Sequence, residues 1–220
     1  YLISGLNVPA KIVSGDYYDY FKIDEKRLGI VIADVSGKGV PASLITAMCR
    51  SVVRANAINN YCPAEVLKKV NRQLFPDIRE DMFVSLAYLI IEANSAKIKI
   101  ARAGHDAPLH YSSKTQNINP INSPGIAIGI DSGDVFDKSI QSMELNVEAG
   151  DILLLYTDGV NEASDIRGEE FGTARLNEIL ANTSNLGAEK VIKAIENEVI
   201  SFSGDVPQND DVTLIAVEKI

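Results

Sequence analysis

Tyr17-Tyr-Asp-Tyr-Phe-Lys-Ile23, Asp24-Glu-Lys26, Arg27-Leu-Gly-Ile-Val-Ile-Ala33, then Asp34-Val-Ser-Gly-Lys-Gly39 and the run from Pro41 to Asn56 form the stretch that decides the fold. Two short runs rich in aromatic and β-branched residues, separated by three polar residues, read as a hairpin of antiparallel strands. A helix follows the second strand. Pro41 suits its first turn, and Leu44, Ile45, Met48, Val52 and Ala55 recur with helical period on one face. A second helix comes at once, from Pro63 to Leu74, with Val66, Leu67, Val70 and Leu74 on one face.

The same grammar recurs outward along the chain. Phe83–Glu92 and Lys97–Ala103, joined by Ala93-Asn94-Ser95-Ala96, read as a second hairpin, and Asp151–Thr157 and Val212–Val217 as two more strands. Gly172–Ala181 and Ala188–Phe202 make a second helix pair, the latter with Val191, Ile192, Ile195 and Val199 on one face. Strands thus arrive as hairpins and helices as consecutive pairs, not as β-α-β units. That pattern predicts an α+β fold with antiparallel sheets covered by helices, in place of a doubly wound parallel sheet. Ser112–Asp137, with its Asn, Gly, Pro and Ser, reads as a loop region with short strands. No repeat or long linker divides the chain, so residues 1–220 are expected to form one domain.

Composition narrows the function. Hydrophobic residues at 46% and charged residues at 23% are those of a globular chain, and 220 residues suffice for a core without disulfide or metal staples. A net charge of −9 argues against a protein that grips phosphate backbones, so no nucleic-acid partner is expected. Cys49 and Cys62 stand in no metal or redox spacing and read as packing residues in a reducing cytoplasm. The longest nearly apolar run, Met82–Ile91, is well short of the roughly 20 residues that span a bilayer, and no membrane contact is expected. The sequence opens at Tyr1 within an apparently structured segment, which suggests a domain excised from behind a missing N-terminal partner.

The chemical signal is a set of aspartates at strand ends. Asp34 closes the strand Leu28–Ala33 and Asp158 closes Ile152–Tyr156; Asp16 precedes a strand, and Asp210 and Asp211 open the last one. In antiparallel sheets a strand's end lies beside its neighbour's start, so these acids are placed to gather at one rim. Such like charges repel, and a hard divalent cation resolves the conflict: the donors are all oxygen, which suits Mg²⁺ or Mn²⁺ and not zinc. Two ions bridged by one aspartate orient a water for attack on phosphorus. Singly, each acid has a blander reading: Asp158-Gly159 as a turn dipeptide, Asp16 and Asp19 as a solvated acidic face, Asp210 as a loop end.

Asp34–Gly39 matches neither the P-loop nor the dinucleotide fingerprint, and its glycines read as a tight turn exposing Asp34 and a backbone carbonyl. His105, after a strand in Ala103-Gly-His-Asp106, is read as a turn histidine bonded to neighbouring backbone, with general acid as the alternative. Ser14, Ser36 and Ser43 have no local histidine, and no nucleophilic triad is seen.

Taken in order, Ser14-Gly-Asp-Tyr-Tyr-Asp-Tyr-Phe21, Asp34-Val-Ser-Gly-Lys-Gly-Val-Pro-Ala42, Ala103-Gly-His-Asp-Ala-Pro108, Gly125-Ile-Ala-Ile-Gly129, Leu155-Tyr-Thr-Asp-Gly-Val-Asn-Glu-Ala163 and Asp210-Asp-Val-Thr-Leu214 resemble the SpoIIE/RsbU branch of the metal-dependent protein serine/threonine phosphatases (the PPM family, type 2C). The resemblance covers nearly the whole chain, from about Ile12 onward. It implies a β-sandwich of two antiparallel sheets flanked by helix pairs, carrying two Mn²⁺ or Mg²⁺ ions. It also implies Asp34 as the bridging ligand, the Val35 carbonyl as a backbone ligand, and Asp158 and Asp210 as further ligands, with Asp16 acting directly or through water. Asp211 is the alternative to Asp210, and Asp19 to Asp16. The implied reaction is attack of metal-activated hydroxide on phosphoserine or phosphothreonine, without a phosphoenzyme, with Asp34 and Asp158 acting through that water.

Two departures from eukaryotic relatives stand out. Val35-Ser36 occupies the place where they carry a histidine general acid, and no arginine stands near Asp16 in the sequence. Protonation of the leaving group then falls to metal-bound water, and phosphate orientation to the metals. In this branch the substrate is a phosphorylated STAS anti-anti-sigma protein, the catalytic domain follows a sensory or receiver module, and homodimers are among the expected partners. A displacement of the two helices after the Asp34 loop would move Asp34 and Val35, which offers a route for an upstream signal. Two other readings compete. A silent phosphoprotein-binding domain would have lost at least one of the acids, and all are present; a hydrolase of nucleotides or small phosphate esters would use the same two-metal chemistry.

Overall fold

The two hairpins read from the sequence lie side by side in one five-stranded antiparallel sheet. The computed structural model describes residues 1–93 and 95–220; the Asn94 position of the expected Ala93–Ala96 connection lies outside the described residues. That sheet has the order β2-β3-β4-β5-β8, with β2 Tyr17–Lys22, β3 Arg27–Val35, β4 Val84–Glu92, β5 Lys97–Ala103 and β8 Met143–Asn146. A second antiparallel sheet has the order β1-β10-β9-β6-β7, with β1 Leu2–Val8, β6 Leu109–Tyr111, β7 Ile118–Pro120, β9 Ile152–Tyr156 and β10 Val212–Glu218.

The chain forms two compact units, each with one sheet. The central unit takes residues Lys11–Ala107 and Asn122–Asn146, and the terminal unit takes Tyr1–Ala10, Pro108–Ile121 and Val147–Ile220. In the central unit, helices α1 Val40–Ala57 and α2 Pro63–Leu74 pack on the sheet, and a short helix α3, Asp134–Ser139, adds Phe136 to the same core. Both long helices begin with proline in the first turn, where the missing N–H costs no helical hydrogen bond. Val66, Leu67, Val70 and Leu74 are fully buried against Val31, Ala33, Leu86 and Tyr88. Each such side chain contributes about 1.5–3 kcal/mol on burial.

The buried face of α1 overlaps the one the periodicity suggested, through buried Ile45 and the partly buried Met48 and Val52, but is rotated from it. Ala42, Ile45, Cys49, Val53 and Ala57 point into the core, whereas Leu44 is 60% exposed and Ala55 is exposed too. The apolar residues of this helix cover more than half its circumference, so the pattern fixed the period and not the phase. Small residues, Ala42 and Ala57, let the helix approach the sheet closely, and a reading that ranks positions by hydrophobicity undervalues them.

In the terminal unit, α5 Gly172–Thr183 and α6 Ala188–Ser203 cover the second sheet, preceded by the single-turn helix α4, Asp158–Asn161. Val191, Ile192, Ile195 and Val199 face Leu154, Tyr156, Leu214 and Ala216, as their spacing predicted. Gly187, at positive φ, ends a short 3-10 turn (Ser184–Leu186) and starts α6. Asp158-Gly159 is therefore the first turn of a helix and not a β-turn. The loop region expected over Ser112–Asp137 contains β7 and most of α3, with β6 just before it. Among the described residues no helix is long and apolar enough to cross a membrane.

Candidate functional site

Antiparallel register brings the acids into two groups, one in each unit. In the central unit Tyr17 pairs with Ala33. Continuing that register by one residue sets Asp16, before β2, beside Asp34, near the end of β3. Asp16 is 4% exposed, and its amide donates to Ser14 Oγ at 3.1 Å. Gly15 explains how this loop closes on the Val35 carbonyl: a Cβ there would stand 3.1 Å from Val35 O and 3.6 Å from Gly37 O. Thr46 of α1 donates its hydroxyl to Gly15 O at 2.5 Å, fastening the loop to the helix that follows Asp34.

The loop after Asp34 is held from its other side. Ser36 N donates to Phe83 O at 3.0 Å, and Phe83 N donates to Ser36 Oγ at 2.8 Å. Gly37 and Gly39 sit at φ +89° and +80°, the left-handed region where glycine carries no side-chain strain. The expected tight turn is thus present. Asp34 lies opposite Ser85 of β4, whose hydroxyl shares a 2.8 Å hydrogen bond with His105 Nδ1. His105 is 2% exposed, and its carbonyl accepts from the Arg102 guanidinium. Its ring Nδ1 therefore has a side-chain partner, Ser85, where the sequence reading had named neighbouring backbone.

Asp19 faces elsewhere. Its carboxylate takes a bidentate hydrogen bond from Arg54 Nε and Nη2 (2.6 and 2.7 Å), and Arg50 Nε lies 3.1 Å away. These arginines were missed in the sequence, where no arginine stands close to Asp16. Their i, i+4 spacing on α1, which sets both on one helix face, was the available signal. Tyr17, next in sequence to Asp16, is buried, and burial together with the Cys49 thiol 3.5 Å from its hydroxyl pushes its pKa well up. Burial also drives the Cys49 thiol up to about 12. At neutral pH both remain protonated, in keeping with a packing role for Cys49.

In the terminal unit, Asp158 follows β9 and Asp210–Asp211 precede β10, its neighbour in the sheet. Thr157 locks the pair of ends together: its amide donates to Thr213 O, and its hydroxyl accepts from Thr213 N, both at 3.1 Å. Gly159 makes the approach of the two segments possible, because a Cβ there would fall 2.0 Å from Asp211 O. Asp211 is 8% exposed, and its Oδ1 accepts from Ala10 N at 2.7 Å. Asp210 Oδ1 accepts from Asp211 N at 2.9 Å, and Gln208 Nε2 donates to Asp210 O at 2.7 Å. Asp16, Asp34 and the Val35 carbonyl are thus brought together in one unit, and Asp158, Asp210 and Asp211 in the other. Among the described residues no group of three or more His, Cys, Asp or Glu side chains is drawn close enough to hold an ion.

The chemistry of the donors fits a hard divalent cation, since every candidate offers oxygen. The carboxylates stand at strand rims, and the Val35 carbonyl faces a glycine, so no side chain fills the space beside it.

Two antiparallel sheets with paired helices are the framework of solved type 2C phosphatase domains. Solved structures agree on the fold: the SiaA-PP2C domain of Pseudomonas aeruginosa superposes with a TM-score of 0.85 at 21% identity, over 99% of this chain and 86% of that one. RsbX in complex with magnesium gives a TM-score of 0.67 at 17% identity, over 97% of this chain and 92% of that one. The family model of stage II sporulation protein E (SpoIIE) matches residues 24–219, and the chain belongs to that family. Among curated relatives, phosphoserine phosphatase RsbU of Bacillus subtilis (strain 168) is 29% identical over 217 residues, which cover 99% of this chain and 63% of RsbU. The chain therefore spans less than two thirds of that relative's length.

Proposed function

We propose that this chain is a metal-dependent protein serine/threonine phosphatase that hydrolyses phosphoserine or phosphothreonine on a regulatory protein. The observation that carries the reading is the gathering of strand-end acids, Asp16 with Asp34 by the continued β2–β3 register, and Asp158 with Asp210–Asp211 by the Thr157–Thr213 hydrogen bonds and the close approach of Gly159 to the Asp211 carbonyl. Membership of the SpoIIE family and the likeness to RsbU support it.

Asp34, the Val35 carbonyl and Asp16 in the central unit, and Asp158 with Asp210 or Asp211 in the terminal unit, would hold Mn²⁺ or Mg²⁺ ions. When bound, the ions supply Lewis-acid polarisation of the phosphoryl oxygens and a nucleophile drawn from water at neutral pH. RsbX binding magnesium supports the choice of a hard cation. Asp16 is favoured over Asp19 because Asp19 holds Arg54 and Arg50, whereas Asp210 and Asp211 each accept one backbone amide, from Asp211 and Ala10, and both stay candidates. The chain's own residues then bind and orient. Thr46 fixes the Gly15 loop, Ser36 fixes the turn behind Asp34, and Thr157 fixes the Asp158 end against β10. Ser85, opposite Asp34 and bonded to His105, steadies that strand pair at the rim.

The substrate proposed is a phosphorylated STAS anti-anti-sigma protein in the cytoplasm, with an N-terminal sensory or receiver module in the whole protein and homodimerisation as a further association. The length of RsbU beyond the matched region supports an additional module. Hydrolysis of a phosphoserine peptide with Mn²⁺, and again with chelator, tests the activity. Turnover is expected to require the metal and to fall by several orders of magnitude in Asp34→Asn, with the fold intact by circular dichroism. Turnover that survives chelation and the substitution would overturn the assignment.

A further inference from the structure

Beside the Asp158–Asp210 rim, within the terminal unit, lies a cleft of about 440 Å³, large enough for a small ligand or a few side chains. One wall is the end of α6, where Val199 is buried and Ile200 is 61% exposed, continued by Val206 after the helix. The other wall is the segment after α4, closed on itself by a bridge between Ser164 and Glu170 and by the Phe171 amide donating to Ala163 O. Both walls are ordered by the chain itself. Gln208 Nε2, bonded to Val8 O at 2.8 Å and to Asp210 O, pins the loop that runs from α6 to the rim.

The lining has one sign of charge. Glu162, Glu170, Glu196 and Asp210 contribute carboxylates, and among the described residues no Lys, Arg or His lines the cleft. Glu196 is bonded to Lys193 on its own helix at 2.7 Å. An apolar floor ringed by carboxylates repels acidic segments and attracts basic ones, and it desolvates an apolar side chain at its centre. Because Gly159 and Asp210 themselves line the cleft, its occupant lies within about three residues of a group held at the rim.

We propose that this cleft docks the segment of the phosphoprotein substrate that flanks the phosphorylated residue, and that the segment carries an apolar side chain next to a lysine or arginine. The inference rests on the phosphatase reading and adds to it a substrate class: basic-apolar flanks in place of acidic ones.

Binding is measured by fluorescence anisotropy with a fluorescein-labelled phosphoserine peptide bearing leucine and arginine beside the phosphoserine, and with the same peptide bearing glutamates there. The wild-type chain is expected to bind the first at least about tenfold more tightly, and Glu170→Lys and Ile200→Asp each to weaken that binding about tenfold. Both sites are exposed, so both variants should fold, which circular dichroism checks. In hydrolysis the variants should raise KM for the basic-apolar peptide and leave turnover of a generic aryl phosphate unchanged. Equal affinity for the two peptides, or variants that bind like wild type, overturns the docking proposal, and intact aryl phosphate turnover then leaves the phosphatase reading standing. Selective, variant-sensitive binding without hydrolysis of any phosphoester supports the docking site and removes the phosphatase reading. If Ile200→Asp abolishes self-association and leaves peptide affinity unchanged, the cleft is an interface between copies and the proposal falls.

Discussion

Asp19 and Asp211 show how neighbours set what an aspartate holds. Asp19, three residues from Asp16, is clamped by Arg54, while Asp211 accepts the Ala10 amide and Asp210 the Asp211 amide. The sequence named all six acids but left Asp16 against Asp19 and Asp210 against Asp211 open, because a carboxylate's partner is set by elements far away in the chain. Glycines carry as much of the geometry. At Gly159 a methyl group would overlap the Asp211 carbonyl at 2.0 Å, where the nearest atoms are all backbone of Asp210 and Asp211 and no flexible side chain can yield. Gly159→Ala is therefore expected to cost about 1–3 kcal/mol or more, as overpacking does, and to separate Asp158 from Asp210. Urea unfolding followed by circular dichroism reads the first effect, and metal-dependent turnover the second. Unchanged stability and turnover would show that the contact relaxes freely.

At the scale of elements, long amphipathic segments were legible and short ones were not. The helix Pro63–Leu74 begins and ends where its pattern does, because its apolar stripe is narrow and its ends are marked. In α1 the apolar residues spread round the helix, and packing of Ala42 and Ala57 against the sheet chose the phase. Two substitutions separate the cases. Leu67→Ala, at a fully buried site, is expected to lower stability by about 2–5 kcal/mol, whereas Leu44→Ala, 60% exposed, should stay within about 0.5 kcal/mol. A large loss for Leu44→Ala in thermal or urea unfolding would contradict the exposed placement of that face. Strands β6 and β7, three residues each, and β8, four, are too short to show alternation. They exist because longer or neighbouring strands offer backbone partners, β9 for β6, β6 in turn for β7 and β5 for β8, as β10 does for the glycine-containing β1.

For the molecule as a whole, carboxylates held by backbone amides link folding to pH. Asp151 is buried, which alone would raise its pKa, but the amides of Glu148 and Ser113, with His110 and the Ser113 hydroxyl, hold it below the ordinary 3.8. Asp131, accepting from the amides of Phe136, Gly133 and Val135, and Asp165, accepting from Glu169 and Arg167, are lowered as well. Groups lowered in the folded state add stability above their unfolded pKa, and that stability is lost as pH falls through the lower folded values. Stability is thus expected to hold from neutrality to about pH 5 and to decline steeply below about pH 4. Asp151→Asn should cost about 1.5–3 kcal/mol at pH 7 and flatten the decline; a denaturation series across pH checks both. The order of hairpins and helix pairs, the oxygen-only donor set and the acids at strand ends were determined by the sequence alone, since periodicity, turn residues and side-chain chemistry are local properties. The division into two units interleaved along the chain, the phase of α1, the arginine clamp on Asp19 and the acidic cleft beside Asp210 were decided only by tertiary structure. Each depends on pairing between segments far apart in the chain, and no local pattern encodes which distant segment will supply the partner.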